Sequence, residues 1–285
     1  MPNKFADFQS QVEAIKTRFE RNEITQTERD NAIRKMQLKD ERWGDVWMLS
    51  PQGDWYRKAK GSDRWIQDYP IELVEADDLP PVSQMNLRQI ARAVHDCKRC
   101  PLHLGRTRAV PGEGPAPADI MLIGEGPGFH EDKQARPFVG ASGKFLEQLL
   151  NDIGYKREDV FIANVVKCRP PNNRDPQPEE LAACEDYLER QIHLVDPKVI
   201  VTLGRYSMVR FFPNASITKI HGQPQRINNR LIVPMFHPAA ALHQPRWRPL
   251  LIEDFSKLPQ LIQEAAAFRQ NQQVNLDNAR QLNMF

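Results

Sequence analysis

Apolar residues Phe8, Val12, Ile15 and Phe19 recur three and four positions apart, which is one face of an amphipathic helix. The stretch EITQTERD interrupts that period. Thr27 is the expected N-cap of a second helix through Ala32, Ile33 and Met36. The period then shortens: WGDVWMLSPQGDWYRKAKGSDRWIQDYP sets Trp and Tyr around the turn signals PQGD and KGSD, predicting a hairpin or three-stranded sheet. The Trp residues are expected to pack on the two helices; the competing reading is an aromatic surface for a partner or nucleic acid. Residues 1–68 thus read as a small α+β module, and the acidic, proline-bearing DYPIELVEADDLPPVSQ as a linker over 69–84.

A larger domain is expected over 85–262. It opens with a helix, NLRQIARAVHDC, and from Asp119 alternates strand and helix. The apolar runs DIMLIGEGPG, DVFIANVVKC, KVIVTLG and RLIVPMFHP are separated by the helical SGKFLEQLLNDIG and PEELAACEDYLERQIHLVDP. Near-continuous apolar strands between helices predict an α/β fold with a central, mainly parallel four-stranded sheet covered on both faces. In such sheets ligands bind at the carboxyl ends of the strands, where GEGPG, NVVKCRPP and FHPAA all fall. Residues 263–285 start helical and are expected to end as a flexible tail.

Composition adds limits. With 40% hydrophobic and 27% charged residues the chain fits a globular protein. It has no apolar run approaching the roughly 20 residues that cross a bilayer, and its first residues lack a signal-peptide core. A cytoplasmic monomer with no membrane contact is the expectation, with its four cysteines reduced or metal-bound. A net charge of +2 permits nucleic-acid binding without arguing for it.

Two features carry chemistry. GEGPG ends a strand but fails as a dinucleotide fingerprint, because the third glycine position is Phe129. What remains is a small, stiff loop that lets a ligand approach closely, with Glu125 inside it and Glu131 and Asp132 just beyond. The second feature is Cys97, Cys100, Cys168 and Cys184, spaced C-x2-C, then 67 residues, then 15. Four thiolates suit zinc and an iron–sulfur cluster equally by count, and the spread second pair tilts only slightly toward iron.

Taken together, LIGEGPGFHEDKQARPFVGASGKFLEQLL, FIANVVKCRPPNNRDPQPEE and PMFHPAA, framed by the four cysteines, resemble a family 4 uracil-DNA glycosylase, the iron–sulfur branch of that superfamily. The resemblance covers roughly residues 87–258. It implies a three-layer α/β/α sandwich, a structural [4Fe–4S] cluster on Cys97, Cys100, Cys168 and Cys184, and hydrolysis of the N-glycosidic bond of uracil in single- or double-stranded DNA. A superfamily member acting on another deaminated base such as hypoxanthine or xanthine, or a non-catalytic iron–sulfur DNA-binding module, are the alternatives.

The same resemblance assigns roles. Phe138 matches the aromatic that stacks on a flipped base, Asn164 the amide that reads uracil N3–H and O4, and His237 the donor to uracil O2. Glu125, Gly126, Glu131 and Asn173 occupy positions associated with activity. The water-orienting Asp of the family 1 enzymes is replaced by Gly126, which leaves Glu125 or a neighbour to handle water. Leu242 is the expected wedge into the duplex, with Arg246, Arg248, Lys167, Arg169 and Arg174 as phosphate contacts. The closing QLNMF, through Gln281, Leu282, Met284 and Phe285, resembles the pentapeptide by which bacterial repair enzymes dock on the sliding clamp.

Overall fold

The computed structural model of the chain describes residues 4–40, 44–68, 70, 73 and 79–282, the stretch 273–282 by its backbone alone. Two compact units divide it, Met1–Leu79 and Pro80–Phe285.

In the first unit, helices α1 (Lys4–Glu20) and α2 (Gln26–Lys35) precede four short strands, β1 (Leu38–Lys39), β2 (Val46–Leu49), β3 (Trp55–Lys58) and β4 (Trp65–Gln67), paired in sequence order into an antiparallel sheet. The sheet has one strand more than expected; the two-residue β1 is too short to announce itself by alternation. The cap of α2 is Thr25, not Thr27. Thr25 and Glu28 form a capping box, the Thr25 hydroxyl accepting from Glu28 N–H and the Glu28 carboxylate accepting from Thr25 N–H at 2.8 Å. Trp47 and Trp55 are buried with Phe5, Phe8, Val12 and Ile33. Their rings meet edge to face, Trp47 on Phe5 at 5.5 Å and Trp55 on Trp47 at 6.3 Å. Those two Trp residues therefore build the core of a unit too small to have a large one.

The second unit runs α3 (Leu87–Asp96), α4 (Leu102–Gly105), β5 (Ile120–Gly124), α5 (Phe129–Gln134), α6 (Ala141–Asp152), β6 (Phe161–Asn164), α7 (Pro178–Val195), β7 (Val199–Leu203), α8 (Arg205–Val209), α9 (Ile217–Ile220), β8 (Gln225–Ile227), β9 (Arg230–Met235), α10 (Pro238–His243), α11 (Arg248–Ser256) and α12 (Leu258–Leu282). The sheet order is β6-β5-β7-β9-β8. The four expected strands are present and parallel, and a fifth, β8, pairs antiparallel to β9 at the edge. Its sequence QRI has no apolar run, so periodicity passes over it. The backbone of α12 stays helical through Leu282, where a flexible tail was expected.

Strand side chains alternate between two cores. Ile120, Leu122, Ile162, Val199, Val201 and Val233 pack with Phe145, Leu146 and Leu149 of α6 and with α10–α12. Met121, Ile123, Phe161, Ala163, Ile200 and Ile232 pack with Leu188, Ile192 and Val195 of α7 and Met208 of α8. This two-sided burial is the three-layer α/β/α sandwich, and it explains why the strands read as unbroken apolar runs. Strand β5 has β6 on one side and β7 on the other, so the order reverses there and a crevice opens at its carboxyl end. Among the described residues no helix is long and apolar enough to cross a membrane.

Replacing Trp55 with Ala should lower the stability of the first unit by about 3–5 kcal/mol, the range for truncating a buried aromatic. A urea titration followed by near-ultraviolet circular dichroism reads this directly; an unchanged midpoint would contradict the packing described.

Candidate active site and cysteine centre

The crevice at the end of β5 is built from four neighbouring segments. Gly124 and Asn164 sit side by side, because the β5–β6 register pairs them. A Cβ on Gly124 would come within 2.5 Å of Asn164 Oδ1 and 2.7 Å of Phe138 Cζ, so only glycine leaves both side chains their places. Asn164 is 2% exposed, and its Oδ1 is buried without a hydrogen-bond partner. An orphaned buried amide oxygen is costly unless a ligand completes it.

Phe138, which also meets Gly124, has an unusual backbone conformation, φ 50°, which a bulky residue seldom adopts. Three contacts impose it. The buried Glu131 accepts from Val139 N–H and Gly140 N–H, both at 2.9 Å to Oε1. Arg157 donates to the carbonyls of Phe138, at 2.8 Å, and Pro137. Gly143 admits the Phe138 carbonyl to a space that a Cβ would enter at 2.0 Å. Glu113 in turn holds the guanidiniums of Arg157 and Arg136, at 2.7 and 2.8 Å. Burial pushes the Glu113 carboxyl up, and the two guanidiniums more than reverse that, leaving it below its usual range.

The His237 ring stacks on Phe138 with centroids 5.4 Å apart and planes at 25°. Gly204, with φ 92°, leaves room behind it, a Cβ there meeting His237 Cβ at 3.2 Å. His237 is also the N-cap of α10: its Nδ1 accepts from Ala239 N–H at 3.1 Å. That bond fixes the tautomer, since a nitrogen that accepts carries no proton. The proton is on Nε2. Burial lowers the imidazole pKa to about 4, against a small opposing pull from Glu131, so at neutral pH the ring is an uncharged N–H donor.

Glu125 follows Gly124 at the mouth of the crevice and is half-buried. Burial, and then the charge of Asp175, raise its carboxyl to about 7, with Arg205 opposing. Asp175 accepts from the Tyr206 hydroxyl at 2.7 Å and from Arg205 at 3.1 Å. Gly126 is close to the β6 loop, where a Cβ would meet Val166 Cγ2 at 2.8 Å.

The structure redistributes the remaining site residues. Glu131, expected among the catalytic groups, spends its carboxylate on the Phe138 loop. Asn173, expected with it, accepts from Arg169 Nε at 2.7 Å through Oδ1. Lys167, expected on phosphate, is 1% exposed, with its ammonium bound to Asn164 O at 2.8 Å and Gln191 Oε1 at 2.6 Å. A buried ammonium cannot reach a DNA backbone. Arg174 donates to Glu180 at 2.6 and 2.9 Å, an ion pair at the start of α7. Leu242 on α10 is 41% exposed. Arg246 and Arg248 cover the rings of Trp247 and Phe145, at 4.5 and 4.4 Å to the centroids. The side chains of Gln281 and Leu282, and the whole of Met284 and Phe285, lie outside the described residues. Sequence reasoning missed Gly143, Arg157 and the second role of His237 as a cap. The first two have no local signature; the third was readable as a His before Pro at a helix start.

Some positions away, Cys97, Cys100, Cys168 and Cys184 border one cavity with Val94, Arg99, Arg106 and Tyr187. Cys97 closes α3, Cys168 follows β6 and Cys184 lies in α7. Arg106 donates to Cys168 Sγ at 2.9 Å and to His95 O at 2.6 Å. Burial pushes the Cys184 thiol up to about 11 and also raises Cys100 and Cys168. Four sulfurs around one zinc would sit about 3.8 Å apart, from a Zn–S bond of about 2.3 Å in tetrahedral geometry. Among the described residues no three His, Cys, Asp or Glu side chains are grouped closely enough to hold a single ion. An all-sulfur donor set bordering one cavity has the chemistry of a thiolate metal centre.

Comparison with known proteins agrees with this geometry. The family model described as "Uracil DNA glycosylase superfamily" matches residues 111–264. The chain is 50% identical over 186 residues to the Type-4 uracil-DNA glycosylase of Sulfurisphaera tokodaii, covering 62% of this chain and 84% of that protein. With the Type-4 uracil-DNA glycosylase of Thermotoga maritima it shares 45% identity over 180 residues, 61% of this chain and 94% of the other. A Type-5 uracil-DNA glycosylase of Thermus thermophilus is 35% identical over 127 residues, covering 39% and 58%. The chain belongs to the uracil-DNA glycosylase superfamily, in its type-4 branch.

Proposed function

We propose that this protein excises uracil from DNA by hydrolysing the bond between uracil N1 and the sugar C1′. The observation that carries the reading is the unpartnered Oδ1 of Asn164, buried beside Gly124 and Phe138. An amide there accepts from uracil N3–H and donates to O4 from its nitrogen. Cytosine presents the opposite pattern and would leave both groups unsatisfied. Phe138 supplies the apolar face on which a flipped base stacks.

As the C1′–N1 bond breaks, its electron pair moves onto the uracil ring and charge gathers at O2. The Nε2–H of His237 is the donor for that oxygen, and a neutral donor already oriented by Ala239 needs no rearrangement when charge appears. The sugar is left as an oxocarbenium ion, which water captures. Glu125 is the group best poised to take that water's proton, since a carboxylate near 7 is a good base at neutral pH. Glu131 and Arg157 act as positioning residues through the Phe138 loop. Leu242, on the helix capped by His237, is the wedge for the space the base vacates. Arg246, Arg248 and Arg169 are the phosphate contacts.

The four cysteines would hold a [4Fe–4S] cluster. When bound it would tie α3, the β6 loop and α7 together, a structural task; the supporting observation is the shared, all-sulfur cavity. The closing QLNMF is read as a clamp-docking tail on its sequence alone.

Replacing His237 with Ala should lower kcat on a uracil-containing oligonucleotide by about 100- to 1000-fold, the cost of one preorganised donor, with alkali cleavage of the abasic product as readout. Glu125 works as a base only when ionised. Activity of the unaltered protein should therefore rise with pH through about 7 and then level. The His237 transition at about 4 lies below that limb. Glu125→Gln should give a lower rate that no longer rises through about 7; a retained limb would assign the titration elsewhere. Cys184→Ala should remove a broad absorbance near ~400 nm, where thiolate–iron charge transfer is expected, and lower the melting temperature. Iron below one atom per chain in anaerobically purified, unaltered protein would contradict the cluster.

A further inference from the structure

One feature of the crevice rim has no part in the chemistry above. Among the described residues, the large apolar side chains left exposed are Ile66, Leu104, Phe129, Leu242 and Ile252, and Phe129 is the aromatic one, at 46%. Burial does not hold this ring. Cations do: Lys133 Nζ lies 4.3 Å from its centroid and the Arg169 guanidinium 5.2 Å, while His130 meets it edge on at 5.4 Å.

Its place in the fold is specific. Phe129 begins α5 directly after the loop of Glu125 and Gly126, two positions before Glu131, which holds the Phe138 loop. Arg169 follows Cys168 in the loop after β6, the strand that ends on Asn164, and is steadied by Asn173 Oδ1. The ring thus spans the loops after β5 and β6, whose last residues, Gly124 and Asn164, pair in the crevice. An exposed phenyl between two long cationic side chains, continuous with a base-binding crevice, has the composition of a single-strand contact: a π-face for a base and cations for the phosphates beside it.

We propose that Phe129 is a stacking platform for the base next to the flipped uracil on the same strand, with Lys133 and Arg169 taking the phosphates that flank it. The proposal rests on the uracil-excision reading and extends it to a neighbouring nucleotide. A base stacks on a phenyl ring more strongly than an exposed cation sits over one, so an arriving nucleotide displaces the two side chains from the ring onto its own backbone. The contact is indifferent to which base follows, because every base has a π-face. It also favours a strand whose neighbouring base is unpaired and free to leave its own stack.

The experiment uses the full chain and two single-stranded substrates, one with ordinary bases beside the uracil and one with abasic spacers on both sides. Phe129→Ala should raise KM about tenfold on the first substrate with kcat little changed, and should leave KM on the spacer substrate as it is. Phe129→Trp should keep the unaltered KM, whereas Phe129→Leu, apolar but without a π-face, should behave like Ala. Arg169→Gln should reduce the slope of log affinity against log salt by about 0.7, one single-strand phosphate. An unchanged KM for Phe129→Ala, an equal rise on both substrates, or full rescue by Leu would each overturn the platform. Failure of the unaltered protein to release uracil from either substrate would instead overturn the reading beneath it.

Discussion

A single buried carboxylate organises the crevice. Glu131 takes two consecutive backbone N–H groups, those of Val139 and Gly140, and so bends the chain back on itself just after Phe138. The bend is what puts a phenylalanine in the left-handed region, an arrangement no residue of that size adopts unaided. Arg157 pulls on the carbonyls at the same bend while Gly143 gives them room. With the ring fixed, the His237 imidazole has a surface to stack on. The loop is over-determined by contacts on both sides, and its strain is carried by the surrounding fold.

In the proposed reading the side chains that would face the base are uncharged, and the buried Glu131 carboxylate and Lys167 ammonium are tied to backbone groups of the Phe138 loop and of Asn164. The uncharged side chains are a neutral imidazole, a neutral amide and a hydrocarbon ring. Glu125, the proposed base, is half-buried at the mouth of the crevice. Arg246 and Arg248, expected on phosphate, lie over aromatic rings. A neutral donor oriented beforehand suits a reaction in which negative charge develops on the departing base, because it meets that charge without rearrangement.

How far the sequence disclosed this depended on the kind of signal. The four parallel strands were readable because each is buried on both faces and therefore continuous in apolar residues. Edge strand β8, with QRI, has one neighbour and no such run. The cap of α2 was misplaced by two residues although the pattern T-x-x-E at Thr25 and Glu28 was there to be read. Lys167 was misjudged for a better reason: a lysine in a motif rich in cations is usually at the surface. Only the fold shows that Gln191, on helix α7, and the Asn164 carbonyl meet its ammonium. The crevice residues themselves were named by resemblance. Periodicity alone would have located the carboxyl edge of the sheet and stopped there, since nothing local predicts that Arg157 and Gly143 hold the Phe138 bend.

The hydrogen bond from Ala239 to His237 also has a mechanical side. The His237 ring caps the start of helix α10, and four residues beyond Pro238 that helix presents Leu242 to solvent. A single short helix therefore joins the imidazole to an exposed leucine. In the proposed reading the wedge and the leaving-group donor would belong to one six-residue helix and its N-cap, so that their positions are set together.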